Sequence, residues 1–151
     1  MEWQQVVENP FLKDLPFKIE LNKWGKILMS PASNNYGNLQ YEVAKKLDNG
    51  KQSGKLIMEC SIKTPEGVKV ADVAWASDAF IAEHGFKTPY NIAPEICVEV
   101  VSPSNSDGEM QEKIKLYLEQ GAKEVWLCDQ DGDLSFYPLE GRLSQSKEIS
   151  L

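Results

Sequence analysis

The chain has no apolar run of 18 or more residues, so no segment reads as a membrane-spanning helix. Its opening, M-E-W-Q-Q-V-V-E-N-P, has neither a basic stretch nor an apolar core. That removes the signal-peptide reading and sets the expectation of a cytoplasmic protein without a membrane partner. Cysteine is scarce: Cys60, Cys97 and Cys128 lie far apart among apolar neighbours, and His84 is the sole histidine. With no C-x-x-C pair and no Cys/His cluster, a disulfide framework and a thiolate zinc site are excluded, leaving reduced core cysteines. Basic charge is also short, since the net charge is −7. Nonspecific attraction of nucleic acid by the whole surface is therefore ruled out, though a local groove is not. The densest basic stretch, Lys45, Lys46, Lys51 and Lys55, reads as a solvated helix end and loop. Internal repeats, linkers and low-complexity segments are lacking too.

What is present suits one soluble domain: 151 residues, 42% hydrophobic and 26% charged. The expected core runs from about residue 17 to 138, followed by a short polar tail that adds little. Two short strands, about Phe17 to Leu21 and Lys26 to Met29, flank the turn N-K-W-G and form a hairpin. Leu39, Val43 and Leu47 recur at four-residue spacing after serine and asparagine, which predicts a helix over 34–47. Strands follow over 55–62 and 68–75, joined by T-P-E-G, with a short helix near 79–84. The segment 96–101, I-C-V-E-V-V, is apolar on both faces apart from Glu99, as a central covered strand would be. A helix over 108–120 carries Met110, Ile114, Tyr117 and Leu118 on its apolar face. Strands over 125–128 and 134–137 flank the turn D-Q-D-G-D. This order predicts an α/β fold, a mixed β-sheet flanked by helices, with a right-handed parallel crossover between 96 and 128.

Glu99 raises the chemical question, because a lone carboxylate in a buried strand costs several kcal/mol (on the order of 2–7) without a partner. Asp72, in K-V-A-D-V-A-W, is a second carboxylate among apolar neighbours. If the two strands pair, these acids converge, and like charges at close range need a cation between them. A magnesium ion accepts such oxygen ligands, and the Val100 backbone carbonyl is a third candidate. Strand residue 101 is valine, so a cation for phosphoryl chemistry must come from the following helix. There Lys113, beside Tyr117, is better placed than Lys115. Taken singly, Asp72 could be a strand-end acid, and Glu99 could be a buried partner of Lys113 or Tyr117. Ser102 and Ser104 read as helix-capping hydroxyls rather than nucleophiles, with no histidine base near in sequence. His84 ends a short surface helix, and Trp75 and Trp126 read as core. The D-Q-D-G-D turn lacks the twelve-residue pattern and closing glutamate of a calcium loop.

The segments A-D-V-A-W, E-I-C-V-E-V-V-S-P-S-N and E-K-I-K-L-Y-L-E-Q-G-A-K-E-V-W-L-C-D resemble the Uma-type restriction endonucleases. That family lies within the PD-(D/E)xK nuclease superfamily, and the likeness extends from about Lys18 to Pro138. The resemblance implies a restriction-endonuclease-like fold and metal-dependent cutting of nucleic acid, with DNA as the expected substrate. It would make Asp72 and Glu99 ligands of Mg2+ or Mn2+, and Lys113 the catalytic lysine displaced onto a helix. Glu20, in K-I-E-L-N-K-W-G, resembles the glutamate of the family's early hairpin and is an accessory candidate with Tyr117. The chain departs from the pattern at Ala71, where proline is usual, and near Asn35, where related sequences often carry histidine. Cutting both strands of a duplex with one site per chain implies a homodimer. The alternative is a catalytically silent domain of the same fold acting as a binding or assembly module.

Overall fold

A computed structural model describes residues 1–149. In chain order the elements are α1 (Trp3–Glu8), β1 (Phe17–Leu21), β2 (Ile27–Pro31), α2 (Asn34–Gly50), β3 (Lys55–Thr64) and β4 (Gly67–Ala76). There follow α3 (Asp78–His84), β5 (Ile96–Val100), α4 (Asp107–Glu119), β6 (Glu124–Cys128) and β7 (Leu134–Tyr137). Five strands form a mixed sheet in the order β3-β4-β5-β6-β7, and β1 pairs with β2 in a separate antiparallel hairpin. The β5–β6 pair is parallel, as a strand–helix–strand unit through α4 requires, and the other pairs are antiparallel. The architecture is thus the expected mixed sheet flanked by helices. β5 is its middle strand, and all five of its residues are buried.

Period-two alternation sorts the sheet's side chains onto two layers. Val73, Trp75, Val98 and Trp126 pack with Leu39, Val43 and Leu47 of α2 on one face. Ala74, Cys97 and Val125 pack with Ile114 and Tyr117 of α4 on the other. Both long helices begin at a serine whose hydroxyl accepts a backbone N–H of the first turn: Ser33 from Tyr36, and Ser106 from Glu109. The capping serine of α4 is therefore Ser106, while Ser102 and Ser104 hydrogen-bond each other in the preceding loop. α2 runs three residues past its expected end, to Gly50.

Two regions differ from expectation. At the front, α1 carries Val6 into a small cluster with Leu21 and Val68, which seats the hairpin against β4. At the back, the tail is not idle. Leu143 exchanges backbone hydrogen bonds with Phe136, and Ile149 enters the α2-side core. The buried Glu124 carboxylate explains the docking: it accepts from Trp126 Nε1, the Ser146 hydroxyl and the Lys147 N–H. A buried acid needs those donors, and the tail supplies two of them. Cys60, Cys97 and Cys128 are free and buried, and Trp75 and Trp126 are core residues. Among the described residues no helix is long and apolar enough to cross a membrane.

Candidate active site

The β4–β5 ladder runs from Trp75↔Ile96 to Val73↔Val98 and then stops. One more step of that register sets Asp72 opposite Glu99, on the face that α4 covers. The ladder stops because a side chain takes over: Val100 donates its N–H to Asp72 Oδ2 at 2.7 Å. On the other flank of β4 the pairing with β3 skips a position between Met58↔Val73 and Cys60↔Ala71. The skipped residue, Glu59, has a left-handed backbone with φ 53°. That conformation is uncommon outside glycine and marks a local break in the sheet. The sheet is thus interrupted on both sides of Asp72, which leaves its polar edge to be completed by side chains.

Asp72 and Glu99 are each 1% exposed. Between them sits a cation absent from the sequence reading: Lys18, from β1. Its Nζ lies 3.1 Å from Asp72 Oδ1 and 2.8 Å from Glu99 Oε2. Lys113 reaches in from α4, 2.9 Å from Glu99 Oε1 and 2.9 Å from Glu20 Oε2. Glu20 is tied further to β4 by accepting the Val70 N–H at 2.7 Å. The Tyr117 hydroxyl donates to Glu99 Oε1 at 3.2 Å, and the Tyr36 hydroxyl donates to Asp72 Oδ1. Gln40 donates to the Asp72 carbonyl at 2.9 Å.

The structure therefore gathers Asp72, Glu99, Lys113, Glu20, Tyr117 and the end of β5 at Val100 in one place. Lys115, the other lysine of the helix, pairs with Glu119 and is mostly exposed. Asn35 donates to the Gln130 carbonyl, away from the acids. Sequence reasoning missed Lys18, Tyr36 and Gln40. Lys18 had a signal, since it lies two residues from Glu20 and strand alternation sends both to one face. Tyr36 and Gln40, on the first turns of α2, had none.

Three carboxylates and two ammoniums leave the cluster with a formal charge of −1. Burial first, and then the Glu99 charge, push the Asp72 carboxyl up to about 7, against the pull of Lys18 and the Val100 N–H. Burial works the same way on Glu99, but Lys113 and Lys18 outweigh it and hold that carboxyl below the ordinary range. The pair therefore keeps its charge on Glu99, and its proton, when it has one, rests on Asp72. Burial alone would lower the Lys18 ammonium, yet Glu99, Asp72 and Glu20 together hold it above the ordinary lysine value. Burial, with the Glu99 and Glu20 charges, raises Tyr117 well above its usual value, so it acts as a phenol donor.

The donor set is all oxygen: two facing carboxylates that already share one cation. It fits a hard divalent ion, which takes carboxylate and carbonyl oxygens, better than a thiolate or imidazole metal. A second acidic cluster lies on the β6–β7 turn, where ligand atoms of Asp129, Asp131 and Asp133 fall within 4.8 Å of one another. All three are exposed, and Asp129 Oδ1 already accepts the N–H groups of Asp131 and Asp133, each at 2.9 Å.

A mixed five-stranded sheet with helices on both faces places the chain in the restriction-endonuclease-like class of α/β folds. The chain belongs to the Uma2 family, described as "Putative restriction endonuclease", whose model matches residues 10–150. Among solved structures it is similar to a protein from Anabaena variabilis ATCC 29413 described as "a putative nuclease belonging to DUF820". That likeness has a TM-score of 0.69 at 19% identity, covering 83% of this chain and 74% of the other. No curated protein matches the sequence.

Proposed function

We propose that this protein is a metal-dependent endonuclease that hydrolyses phosphodiester bonds, with DNA as its substrate. The observation that carries the reading is the buried Asp72–Glu99 pair, facing each other around one cation with Lys113 2.9 Å from Glu99. The two carboxylates, with the Val100 carbonyl at the end of β5, would hold Mg2+ or Mn2+. When bound, such an ion supplies Lewis-acid neutralisation of the phosphate charge and lowers the pKa of a coordinated water.

The chain's own residues do the rest. Glu20 and Glu99 fix the Lys113 ammonium, which leaves one N–H that would serve an attacking water or the developing phosphorane charge. A preorganised cation there costs no reorganisation during the reaction. Tyr117 donates to Glu99 Oε1 and holds that carboxylate's rotamer, while Tyr36 and the Val100 N–H do the same for Asp72. These accessory contacts matter because small displacements of reacting groups are costly. One site per chain cuts one strand, so duplex cleavage calls for a homodimer.

A second reading has its own observation. Lys18 already bridges the two acids, and a fold that pairs its own carboxylates can serve as a silent binding module without any ion.

The deciding experiment is calorimetric titration with Mn2+ plus a cleavage assay on single- and double-stranded DNA, using the parent, Asp72→Ala, Glu99→Ala and Lys113→Ala. The nuclease reading expects binding and cutting in the parent, neither in the acid variants, and binding with little cutting in Lys113→Ala. Equal, negligible binding in all four would favour the silent module.

A further inference from the structure

The cavity over Glu99 is small. It is lined by Lys18, Tyr36, Val100, Ser102, Asn105 and Lys113 among others and has a volume of about 20 Å3. That is room for about one water. A magnesium ion demands near-octahedral geometry and usually keeps several waters, so a hydrated ion and the Lys18 ammonium cannot share this space. Charge points the same way, since two cations held by the same carboxylate oxygens repel each other strongly in a buried site.

Lys18 has somewhere to go. Lys18 also borders a neighbouring groove of about 420 Å3, bounded by α1, the loop before β1 and the break in β3. Asp14 and Glu59 line that groove, and both have left-handed backbones, with φ 58° and 53°. Glu59 is the residue opposite Asp72, so the groove lies beside the part of β4 that carries one of the acids, and two acidic residues border it. Four flexible methylenes carry the Lys18 charge, so it can be re-aimed by side-chain rotation alone.

We propose that Lys18 is the resident counter-ion of this site: its ammonium holds the position between Asp72 and Glu99, and a divalent cation enters by displacing it into the groove beside Glu59. The proposal rests on the nuclease reading's metal site. It assigns Lys18 a positioning role distinct from that of Lys113, which touches Glu99 from the α4 side without standing between the acids. It also explains how three buried carboxylates are kept paired in the metal-free protein.

Two measurements test it. The first is Mn2+ calorimetry on the parent, Lys18→Met, Lys113→Met and Asp72→Asn. Displacement expects Lys18→Met to bind at least about tenfold more tightly than the parent, a gain of about 1.4 kcal/mol. Lys113→Met, which removes an equal charge, should gain much less. Equal gains from both lysine variants, or none from Lys18→Met, overturn the proposal while leaving the metal site standing. Binding by none of the proteins sinks the metal site and the proposal with it.

Because Lys18→Met leaves two buried acids short of a cation, it could fail to fold; the second measurement therefore uses the unaltered protein. Lys18 acylation by an amine-reactive reagent is followed by peptide mass spectrometry with and without Mg2+ at a concentration that calorimetry shows to be saturating. The expected result is a rise of about tenfold in the Lys18 rate, with Lys113 staying protected; the factor reflects a buried site becoming open. A Lys18 rate unchanged by bound Mg2+ overturns the proposal.

Discussion

Among the described residues acids converge at two places, and only one of them is buried. At the β4–β5 break, Asp72 and Glu99 are buried, oppose each other and share Lys18, with Lys113 and Tyr117 on the outer side of Glu99. On the β6–β7 turn, ligand atoms of Asp129, Asp131 and Asp133 lie within 4.8 Å of one another but are exposed, and turn N–H groups satisfy Asp129. Water screens the second set, so its charges interact weakly and its carboxyls do not need a cation. In the first set the low dielectric makes every charge consequential. The lesson is that proximity of acids carries little meaning without burial, because desolvation is what compels a partner.

Substitutions can break that contrast, beginning with the most severe. Glu99→Ala strands Lys18 and Lys113 in a buried pocket, and removing one partner of a buried ion pair costs about 3–5 kcal/mol. Urea unfolding should show that loss, and calorimetry should show no Mn2+ binding; a stability within 1 kcal/mol of the parent would contradict the burial argument. Lys113→Ala comes next. It keeps the proposed metal ligands, and on the nuclease reading it should slow DNA cleavage by about 10²–10³, the usual cost of removing a preorganised charge stabiliser. A rate near the parent's would move the catalytic cation elsewhere.

Asp72→Asn sharpens the comparison through pH. The Asp72 carboxyl is raised to about 7 from an ordinary 3.8, so the folded state holds its proton more tightly than the unfolded chain. Stability from this group is therefore full below about pH 3.8 and falls as pH rises towards 7. Asparagine stays neutral, so the variant should match the parent near pH 3.5 and exceed it at pH 8 without metal. Glu99 runs oppositely: its lowered carboxyl stabilises the fold above the ordinary carboxylate range, and that contribution is lost on acidification. Urea midpoints in a chelator at both pH values decide the point, and a variant less stable than the parent at pH 8 would refute the assignment of the proton to Asp72. The smallest effect belongs to the exposed turn. Asp131→Asn should change stability by no more than about 0.5 kcal/mol and leave Mn2+ affinity and cleavage unaltered.

Much of the molecule was legible in one dimension. β1 and β7 fall where alternation and turn residues put them, and apart from α1 the other strands and helices differ only at their ends. The departures have physical causes. α1 is one short turn-and-a-half whose Trp3 and Val6 give too little periodicity to separate from a loop. The tail reads as polar because its anchor is Glu124, a buried acid 22 residues away from Ser146. Ala71, standing where the family pattern has proline, lies in the buried cluster beneath α4. Asp72 and Glu99 could be selected because an acid in an apolar strand violates local expectation, whereas helix geometry favours Lys113 over Lys115 only modestly and its role comes from the family resemblance. Lys18 violated nothing, since a lysine in a half-exposed hairpin strand is ordinary.

The sequence by itself determined every element from β1 to β7, the apolar faces of the two long helices and the identity of the two anomalous acids, because periodicity and desolvation act on each segment alone. The tertiary structure alone decided that Lys18, 81 residues from Glu99, stands between the acids, and that Tyr36 and Gln40 close the far side of Asp72. Such pairings depend on where separate elements dock. The docking is set by the shape of the whole core, which no local pattern encodes.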